Sequence, residues 1–213
     1  MREERVEFFC GDIKLEGVLE PGSGASPESP GPGVVLCHPH PLYGGRMDNN
    51  VTQAVSLALA QQGITALRFN FRGVEGSEGS FDEGRGESSD ALAALDYLAS
   101  RKEVDSSRLG LMGYSFGGAV ALSAALYSEQ VKAVAAVSPA GLPTFGDDST
   151  PRLILCGSED EIIPCEAILA EEEDICGPQE EGAVEMVKGV DHFWWGHEEE
   201  VGKYLSSFFQ KHL

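Results

Sequence analysis

The stretch GLMGYSFGG at residues 110–118 places one serine, Ser115, between glycines at the end of an apolar run. The run RLGLMG predicts a strand, and FGGAVALSAALYS at residues 116–128 predicts a helix directly after it. A strand that passes straight into a helix must turn sharply, which forces the central residue into an unfavourable backbone region. The pattern G-x-S-x-G leaves room for this turn and lifts the hydroxyl clear of the sheet, beside the first N–H groups of the helix. Ser115 is therefore the candidate nucleophile.

Strands and amphipathic helices alternate on both sides of this stretch. The other predicted strands are VVLC, ITALRF, VKAVAAV, RLILC and AVEMV, and further helices are predicted at 51–62, from a cap in SSD at 88–90, and at 198–212. This alternation predicts an α/β fold with a mostly parallel sheet and helices on both faces. Before it, VEFFCG and IKLEGVLE flank Gly11-Asp12 and predict an antiparallel hairpin. A chain of 213 residues is expected to form a single domain, residues 1–213.

A serine hydroxyl is a weak nucleophile unless a base and an orienting acid activate it. Parallel sheets carry their sites at the carboxyl ends of the strands. His192, in GVDHFWWG, follows the last predicted strand and is the candidate base, the alternative being a structural histidine that caps this loop. The acid candidates Glu159, Asp160 and Glu161 follow RLILCG, and a solvated turn is the alternative for all three. Asp160 is favoured because a short carboxylate on a tight turn holds an imidazole with little entropic loss.

The motifs GYSFGG, GSEDEIIP and DHFW, in this order, resemble the α/β-hydrolase superfamily. The segment CHPHPLYGGRMDNN at residues 37–50 resembles the small, lidless branch related to dienelactone hydrolases and short-chain carboxylesterases. The resemblance extends over nearly the whole chain from about residue 34 and implies that Ser115, Asp160 and His192 are nucleophile, acid and base. Dienelactone hydrolases carry a cysteine at the nucleophile position, so the serine here favours ordinary esters over lactones.

The resemblance also implies an oxyanion hole, made by the N–H after the nucleophile and an N–H from the loop after the first parallel strand. The first donor maps to Phe116. In HPHPL at residues 38–42 neither proline has an N–H, which leaves His40 as the second donor and Leu42 as the alternative. The imidazoles of His38 and His40 also suggest a metal pair, but no cluster of acidic or cysteine ligands accompanies them.

The substrate pocket is expected to involve four residues near the predicted site: Leu42, Tyr43, Trp194 and Trp195. For the two tryptophans the alternative is that one of them is buried against the last helix. Larger relatives insert a cap domain where this chain has only SPAGLPTFGDDST at residues 138–150. We therefore expect no cap domain, an open site and short acyl chains.

The composition argues against several other kinds of binding and against a metal site. The 35 acidic and 15 basic side chains give a net charge of −20, which repels nucleic acids and anionic membranes. The five cysteines show no CxxC spacing, so neither a disulfide framework nor a zinc site is expected, and Cys37 and Cys156 should pack as small hydrophobes. The charged first ten residues, MREERVEFFC, favour a cytoplasmic location.

Together these patterns predict a serine hydrolase that cleaves carboxylic esters of small molecules, with no metal or cofactor. Amides, lactones, thioesters or acyl transfer remain alternatives, because the same three residues serve them. A catalytically silent binding protein is the alternative from another class. The oligomeric state is left open.

Overall fold

In the computed structural model, which describes residues 3–177 and 182–213, eight strands of the described chain form one sheet in the order β1-β2-β4-β3-β5-β6-β7-β8. The strands are β1 Glu4–Cys10, β2 Ile13–Glu20, β3 Gly31–Cys37, β4 Thr65–Phe69, β5 Val104–Tyr114, β6 Val131–Val137, β7 Arg152–Gly157 and β8 Gly182–Val187. The helices are α1 Asn50–Gln61, α2 Arg85–Ala99, α3 Phe116–Ala125, α4 Cys165–Leu169, α5 Glu172–Cys176 and α6 Glu198–His212. No helix in these described ranges is both long enough and apolar enough to cross a membrane.

The sheet is antiparallel only at its N-terminal edge. β1 and β2 form a hairpin around Gly11-Asp12, where Gly11 has a φ of 60°, and β2 also pairs antiparallel with β4. The remaining neighbours, from β4 through β3 to β8, are parallel. The predicted mostly parallel sheet with an antiparallel hairpin is confirmed.

Apolar side chains cover both faces of the sheet. One face buries residues of α2 and α3 such as Leu95, Leu98 and Val120. The opposite face buries residues of α1 and α6: Val51, Val55, Leu59, Val201, Leu205 and Phe209. The helices therefore hold the sheet from two sides, and the carboxyl ends of its parallel strands remain available for a site. The segment between β6 and β7 forms only a loop, so no cap domain built from the described residues covers this edge.

The start of α2 differs from the prediction. The helix begins at Arg85, before the SSD sequence that was expected to cap it. Glu87 provides the cap, because its carboxylate accepts hydrogen bonds from the N–H groups of Gly84 at 2.7 Å and Asp82 at 2.9 Å. Asp90 lies inside the helix and pairs with Arg72 at 2.7 Å.

The expectation for Cys156 is wrong. Cys156 in β7 and Cys165 at the start of α4 form a disulfide, with Cα atoms 5.3 Å apart. The two residues are nine positions apart in sequence and show no recognised spacing. They meet because the chain leaves β7 and returns to the edge of the sheet to start α4. Asp160 lies on the segment that this bond closes.

Candidate active site

Ser115 occupies the turn between β5 and α3, with φ 55° and ψ −118°. This positive φ is costly for a residue with a side chain, and the surrounding packing must hold it in place. The two flanking glycines explain how. A Cβ at Gly113 would overlap the carbonyl of Gly117, and a Cβ at Gly117 would overlap the carbonyl oxygens of Cys37 and His38. The motif therefore needs glycine at both positions, and it brings the end of β3 against the start of α3.

Three predicted site residues form a hydrogen-bonded chain. The Ser115 Oγ lies 3.1 Å from His192 Nε2, and His192 Nδ1 lies 2.8 Å from Asp160 Oδ2. All three residues are at least nine-tenths buried. An imidazole whose Nδ1–H donates to a carboxylate presents an unprotonated Nε2, which is the form that accepts a proton from a hydroxyl. The arrangement can therefore make Ser115 nucleophilic.

Backbone groups fix the carboxylate of Asp160. Its second oxygen, Oδ1, accepts hydrogen bonds from the N–H groups of Ile162 at 3.0 Å and Ile163 at 2.8 Å. The neighbouring acids Glu159 and Glu161 are exposed to solvent. Of the three acid candidates, only Asp160 reaches the histidine.

The loop that carries His192 is held on both sides of the imidazole. The buried Tyr114 hydroxyl donates to the backbone carbonyl of His192 at 2.6 Å. Asp191 Oδ1 accepts hydrogen bonds from the N–H groups of Phe193 at 2.9 Å and Trp194 at 3.2 Å. Asp191 therefore stabilises the turn instead of contacting the imidazole. Sequence reasoning missed Tyr114, although its position directly before the serine was a usable signal.

His38 has a structural part in the loop after β3. It is fully buried, and its Nδ1 lies 2.6 Å from the Pro39 carbonyl oxygen while its Nε2 accepts the Phe71 N–H at 3.1 Å. These partners require a neutral ring with the proton on Nδ1. Burial lowers the pKa of His38 from its ordinary value to about 4, which keeps the ring neutral. Within residues 3–177 and 182–213, no group of three or more His, Cys, Asp or Glu side chains is arranged to hold a metal ion.

The two predicted oxyanion donors lie on adjoining elements. Phe116 is the first residue of α3, and first-turn N–H groups have no acceptor within their own helix. The His40 ring lies against the Phe116 ring with centroids 4.8 Å apart. The N–H of Leu42 donates to His40 Nδ1 at 3.2 Å, so the alternative donor is already used within the loop. Burial among the surrounding rings lowers the pKa of His40.

The predicted pocket residues separate into two groups. Trp194 is fully buried in the core beside Val201 and Leu205, and its Nε1–H donates to Ser138 Oγ at 3.2 Å. It therefore lies against α6, as the alternative expectation had it, and does not line an open pocket. Leu42 and Tyr43 lie in a short 3₁₀ helix after β3, Trp195 lies three residues after His192, and all three side chains are mostly exposed. A contact with substrate remains a prediction for those three.

Two further features escaped the sequence reasoning. Phe81, on the loop before α2, stacks near His40 with ring centroids 5.0 Å apart and so completes an aromatic wall with Phe116. An open cleft of about 510 Å³ lies between the 139–145 loop and the α4–α5 region. No sequence motif marks either feature, because each depends on residues that are distant along the chain.

Known proteins resemble this chain in sequence and in fold. Residues 52–213 match the family described as PETase, PET hydrolase-like. An α/β serine hydrolase homologue from Coxiella burnetii is 30% identical with a TM-score of 0.85, and the match covers 97% of each chain. A lidless α/β serine hydrolase from Xanthomonas campestris is 27% identical with a TM-score of 0.83, over 99% of this chain and 95% of that one.

A functionally named relative matches over a shorter region. The bis(hydroxyethyl) terephthalate hydrolase of Streptomyces coelicolor is 41% identical over 78 residues, which are 34% of this chain and 25% of that protein. The resemblance inferred from the motifs is confirmed at the level of the superfamily and its lidless type. The chain belongs to the PET hydrolase-like family and is an α/β serine hydrolase of the small lidless kind.

Proposed function

We propose that this protein hydrolyses carboxylic esters through an acyl-enzyme on Ser115. The observation that carries the proposal is the continuous chain from Ser115 Oγ through His192 to Asp160, with contacts of 3.1 and 2.8 Å. A strained serine at a helix start, within hydrogen-bond distance of an oriented imidazole, is the arrangement that nucleophilic acyl transfer requires.

The proposed reaction has two halves. Ser115 Oγ bonds to the acyl carbon as His192 Nε2 takes its proton, and the oxyanion is stabilised by the N–H groups of His40 and Phe116. The intermediate collapses, His192 gives its proton to the leaving alcohol, and the acyl group stays on Ser115. Water then attacks this ester while His192 takes a proton from it, and the acid leaves as Ser115 recovers its hydrogen. Asp160 stabilises the imidazolium in both halves.

Esters are favoured over other acyl compounds for two reasons. The family description and the Streptomyces relative both name ester hydrolysis, and the nucleophile is a serine, not a cysteine. The site without a cap supports short acyl chains, since no cap would cover a long chain that extends beyond Ser115. Small-molecule partners and a cytoplasmic location remain predictions.

The test uses a fluorophosphonate probe and a series of 4-nitrophenyl esters. Wild-type protein should be labelled once per chain and should cleave acetate and butyrate esters faster than long-chain esters. Ser115→Ala should lose labelling and at least about 10⁴-fold in kcat. Ser149→Ala, which changes an exposed serine, should retain both. Full labelling of Ser115→Ala would refute the proposal, and preference for amides, lactones or thioesters would replace the ester assignment.

A further inference from the structure

Positive φ values occur at five non-glycine residues of the described chain. Glu75 and Glu83 are exposed on the loop before α2, and the other three, Ser115, Ser138 and Trp194, are buried. The turn with its two flanking glycines accounts for Ser115. Ser138 with φ 42° and Trp194 with φ 59° lie in no such turn, and a bulky side chain is rare in this backbone region. Strain of this kind persists only where the surrounding contacts impose it, and it collects at functional sites.

Ser138 stands between two hydrogen bonds that hold the backbone of Ser115. The Ser115 N–H donates to the Val137 carbonyl oxygen at 2.9 Å, and the Ser115 carbonyl oxygen accepts the Ala140 N–H at 3.0 Å. The N–H of Ser138 itself donates to the carbonyl oxygen of Leu155 in β7 at 2.8 Å. The backbone at Ser138 is therefore held both by the turn that carries the proposed nucleophile and by the neighbouring strand.

Trp194 belongs to the turn that carries His192, two residues further along the chain. The N–H of Trp194 donates to Asp191 Oδ1 at 3.2 Å, and its carbonyl oxygen accepts the His197 N–H at 3.1 Å. Its indole Nε1–H donates to Ser138 Oγ at 3.2 Å, and both residues are fully buried. An indole ring has one polar hydrogen and no acceptor, so Ser138 satisfies the single polar group of this side chain.

Core packing alone does not account for the Ser138–Trp194 pair. Two apolar side chains of similar shape would fill the same space at little cost, and they would bury no polar group. A buried hydrogen bond, by contrast, is costly to break and fixes the distance and direction between its two atoms. The pair therefore determines where the turn after β8 lies, in addition to covering the core.

The Ser138–Trp194 bond completes a closed ring of contacts around the reacting atoms. From the Ser115 backbone the ring runs through residues 137–140 to Ser138 Oγ and across to the indole of Trp194. It returns along the chain to His192, whose Nε2 lies 3.1 Å from Ser115 Oγ. Tyr114 binds the His192 carbonyl oxygen at 2.6 Å. The turn that carries the imidazole is therefore held relative to Ser115 at two separate points.

We propose that Ser138 and Trp194 are positioning residues, whose hydrogen bond holds the His192 imidazole within reach of the Ser115 hydroxyl. This role rests on the proposed ester hydrolysis. Neither residue is assigned a contact with substrate. Their effect passes through the position of His192 Nε2, so it should appear in the proton-transfer steps and not in substrate binding.

The rate test removes the donor and the acceptor separately, in Trp194→Phe and Ser138→Ala. For 4-nitrophenyl acetate, each variant should lose about tenfold in kcat with KM within about twofold of wild type, because a displaced imidazole transfers protons less well. The second-order rate constant for fluorophosphonate labelling should fall by a similar factor, since that step also needs His192. The end point of labelling gives the folded, active fraction and corrects each rate for it.

Phe209→Leu is the control for a loss of core packing. Phe209 on α6 is fully buried in the same apolar cluster as Trp194. This variant should have a lower free energy of unfolding in urea, yet its corrected kcat and labelling rate should match those of wild type. If Phe209→Leu loses as much corrected rate as Trp194→Phe, the loss of packing explains the effect and the positioning role is overturned.

Ser138→Gly separates the hydrogen bond from the backbone strain. Glycine adopts a φ of 42° readily but provides no acceptor, whereas alanine keeps the strain and also lacks the acceptor. Both variants should therefore show the same loss of corrected kcat. The double variant with Ser138→Ala and Trp194→Phe should lose no more than either single variant, because all of them lack the same bond. Wild-type rates in Ser138→Gly, or additive losses in the double variant, would overturn the proposal.

An NMR spectrum tests the bond itself. The chain has two tryptophans and therefore two indole N–H signals, and Trp194→Phe removes one of them and so assigns both. In Ser138→Ala the proton signal of the Trp194 indole should move upfield, because a proton that loses its hydrogen-bond acceptor is more shielded. The Trp195 signal should stay in place. An unmoved Trp194 signal would show that this bond does not hold the His192 turn, which would overturn the proposal.

Failure of the positioning role can be told apart from failure of the proposed function. If wild-type protein shows neither labelling nor hydrolysis of 4-nitrophenyl acetate that depends on Ser115, the ester hydrolase proposal fails and the positioning role fails with it. If wild type reacts, but Trp194→Phe and Ser138→Ala keep its corrected kcat and labelling rate, only the positioning role fails.

Discussion

Tyr114 donates its hydroxyl hydrogen to the backbone carbonyl of His192 at 2.6 Å, and so joins the residue before the nucleophile to the loop that carries the base. The two residues are 78 positions apart in sequence. Tyr114 is almost fully buried, and its ring lies 5.7 Å from the imidazole, centroid to centroid. The Ser115 turn and the His192 loop follow different strands. This bond therefore helps to hold the serine hydroxyl and the imidazole in a fixed relative position.

The first prediction concerns this bond. Tyr114→Phe leaves the His192 carbonyl without its donor, so we expect a loss of about 1–3 kcal/mol in the free energy of unfolding. Because the loop that carries the imidazole loses a hydrogen bond, kcat should fall several-fold with little change in KM. Urea denaturation and steady-state kinetics measure both. Tyr127→Phe, at an exposed tyrosine, is the control and should stay within about 0.5 kcal/mol of wild type. A Tyr114→Phe protein identical to wild type would show that the bond positions nothing.

The second prediction separates the role of Asp160 in orienting His192 from its role in the turn. In Asp160→Asn the amide oxygen can still accept the N–H groups of Ile162 and Ile163, so the fold should persist. The amide NH₂ would face His192 Nδ1 and favour the wrong tautomer, and kcat should fall about 10³- to 10⁴-fold. Kinetics with 4-nitrophenyl acetate measure the loss. Glu159→Gln and Glu161→Gln remove exposed charges on either side and should change kcat less than about twofold. Comparable losses in all three variants would contradict the assignment.

The sequence predicted the sheet and the hydrogen-bonded residues Ser115, His192 and Asp160, because both depend on local signals. Ser115 stands in a turn that demands glycine at fixed spacing, and His192 and Asp160 each follow an apolar strand. Since parallel strands end at one edge, placing residues after strands also places them near one another in space.

The features that the sequence did not predict depend on partners that are distant along the chain. Trp194 and Trp195 are neighbours with the same side chain, yet one is fully buried and the other is 70% exposed. Trp194 is the buried one because it packs against residues of α6 and its indole N–H donates to Ser138. Likewise, SSD looked like a helix cap, but Glu87 takes that role and Asp90 binds Arg72. The cleft between the 139–145 loop and the α4–α5 region has no motif because its walls come from two separate segments.

The third prediction is a pH dependence of stability. Burial lowers the pKa of His38 from 6.5 to about 4 in the folded protein, so on acidification the unfolded chain takes up the proton first. The stabilisation is complete at pH values above 6.5, the pKa of His38 in the unfolded chain. It is lost as the pH falls towards about 4, where the free energy of unfolding has decreased by about 3 kcal/mol. His38→Gln keeps an acceptor for the Phe71 N–H but cannot titrate. The stability difference between wild type and this variant, from urea denaturation, should therefore shrink across that window. A constant difference would contradict a neutral, buried His38.

The fourth prediction concerns the Cys156–Cys165 disulfide, which closes the segment that carries Asp160. A cross-link over so short a segment should contribute about 2–3 kcal/mol, chiefly by restricting the unfolded chain. Adding a thiol reductant should therefore lower the free energy of unfolding by about this amount. It should also lower kcat, because the carboxylate that orients His192 loses one restraint.

Cys156→Ala combined with Cys165→Ala has lower stability from the start, since both side chains are buried, but its stability and kcat should not respond to reductant. If wild type and the double variant respond equally, the effect comes from another cysteine, and the bond does not restrain the Asp160 segment.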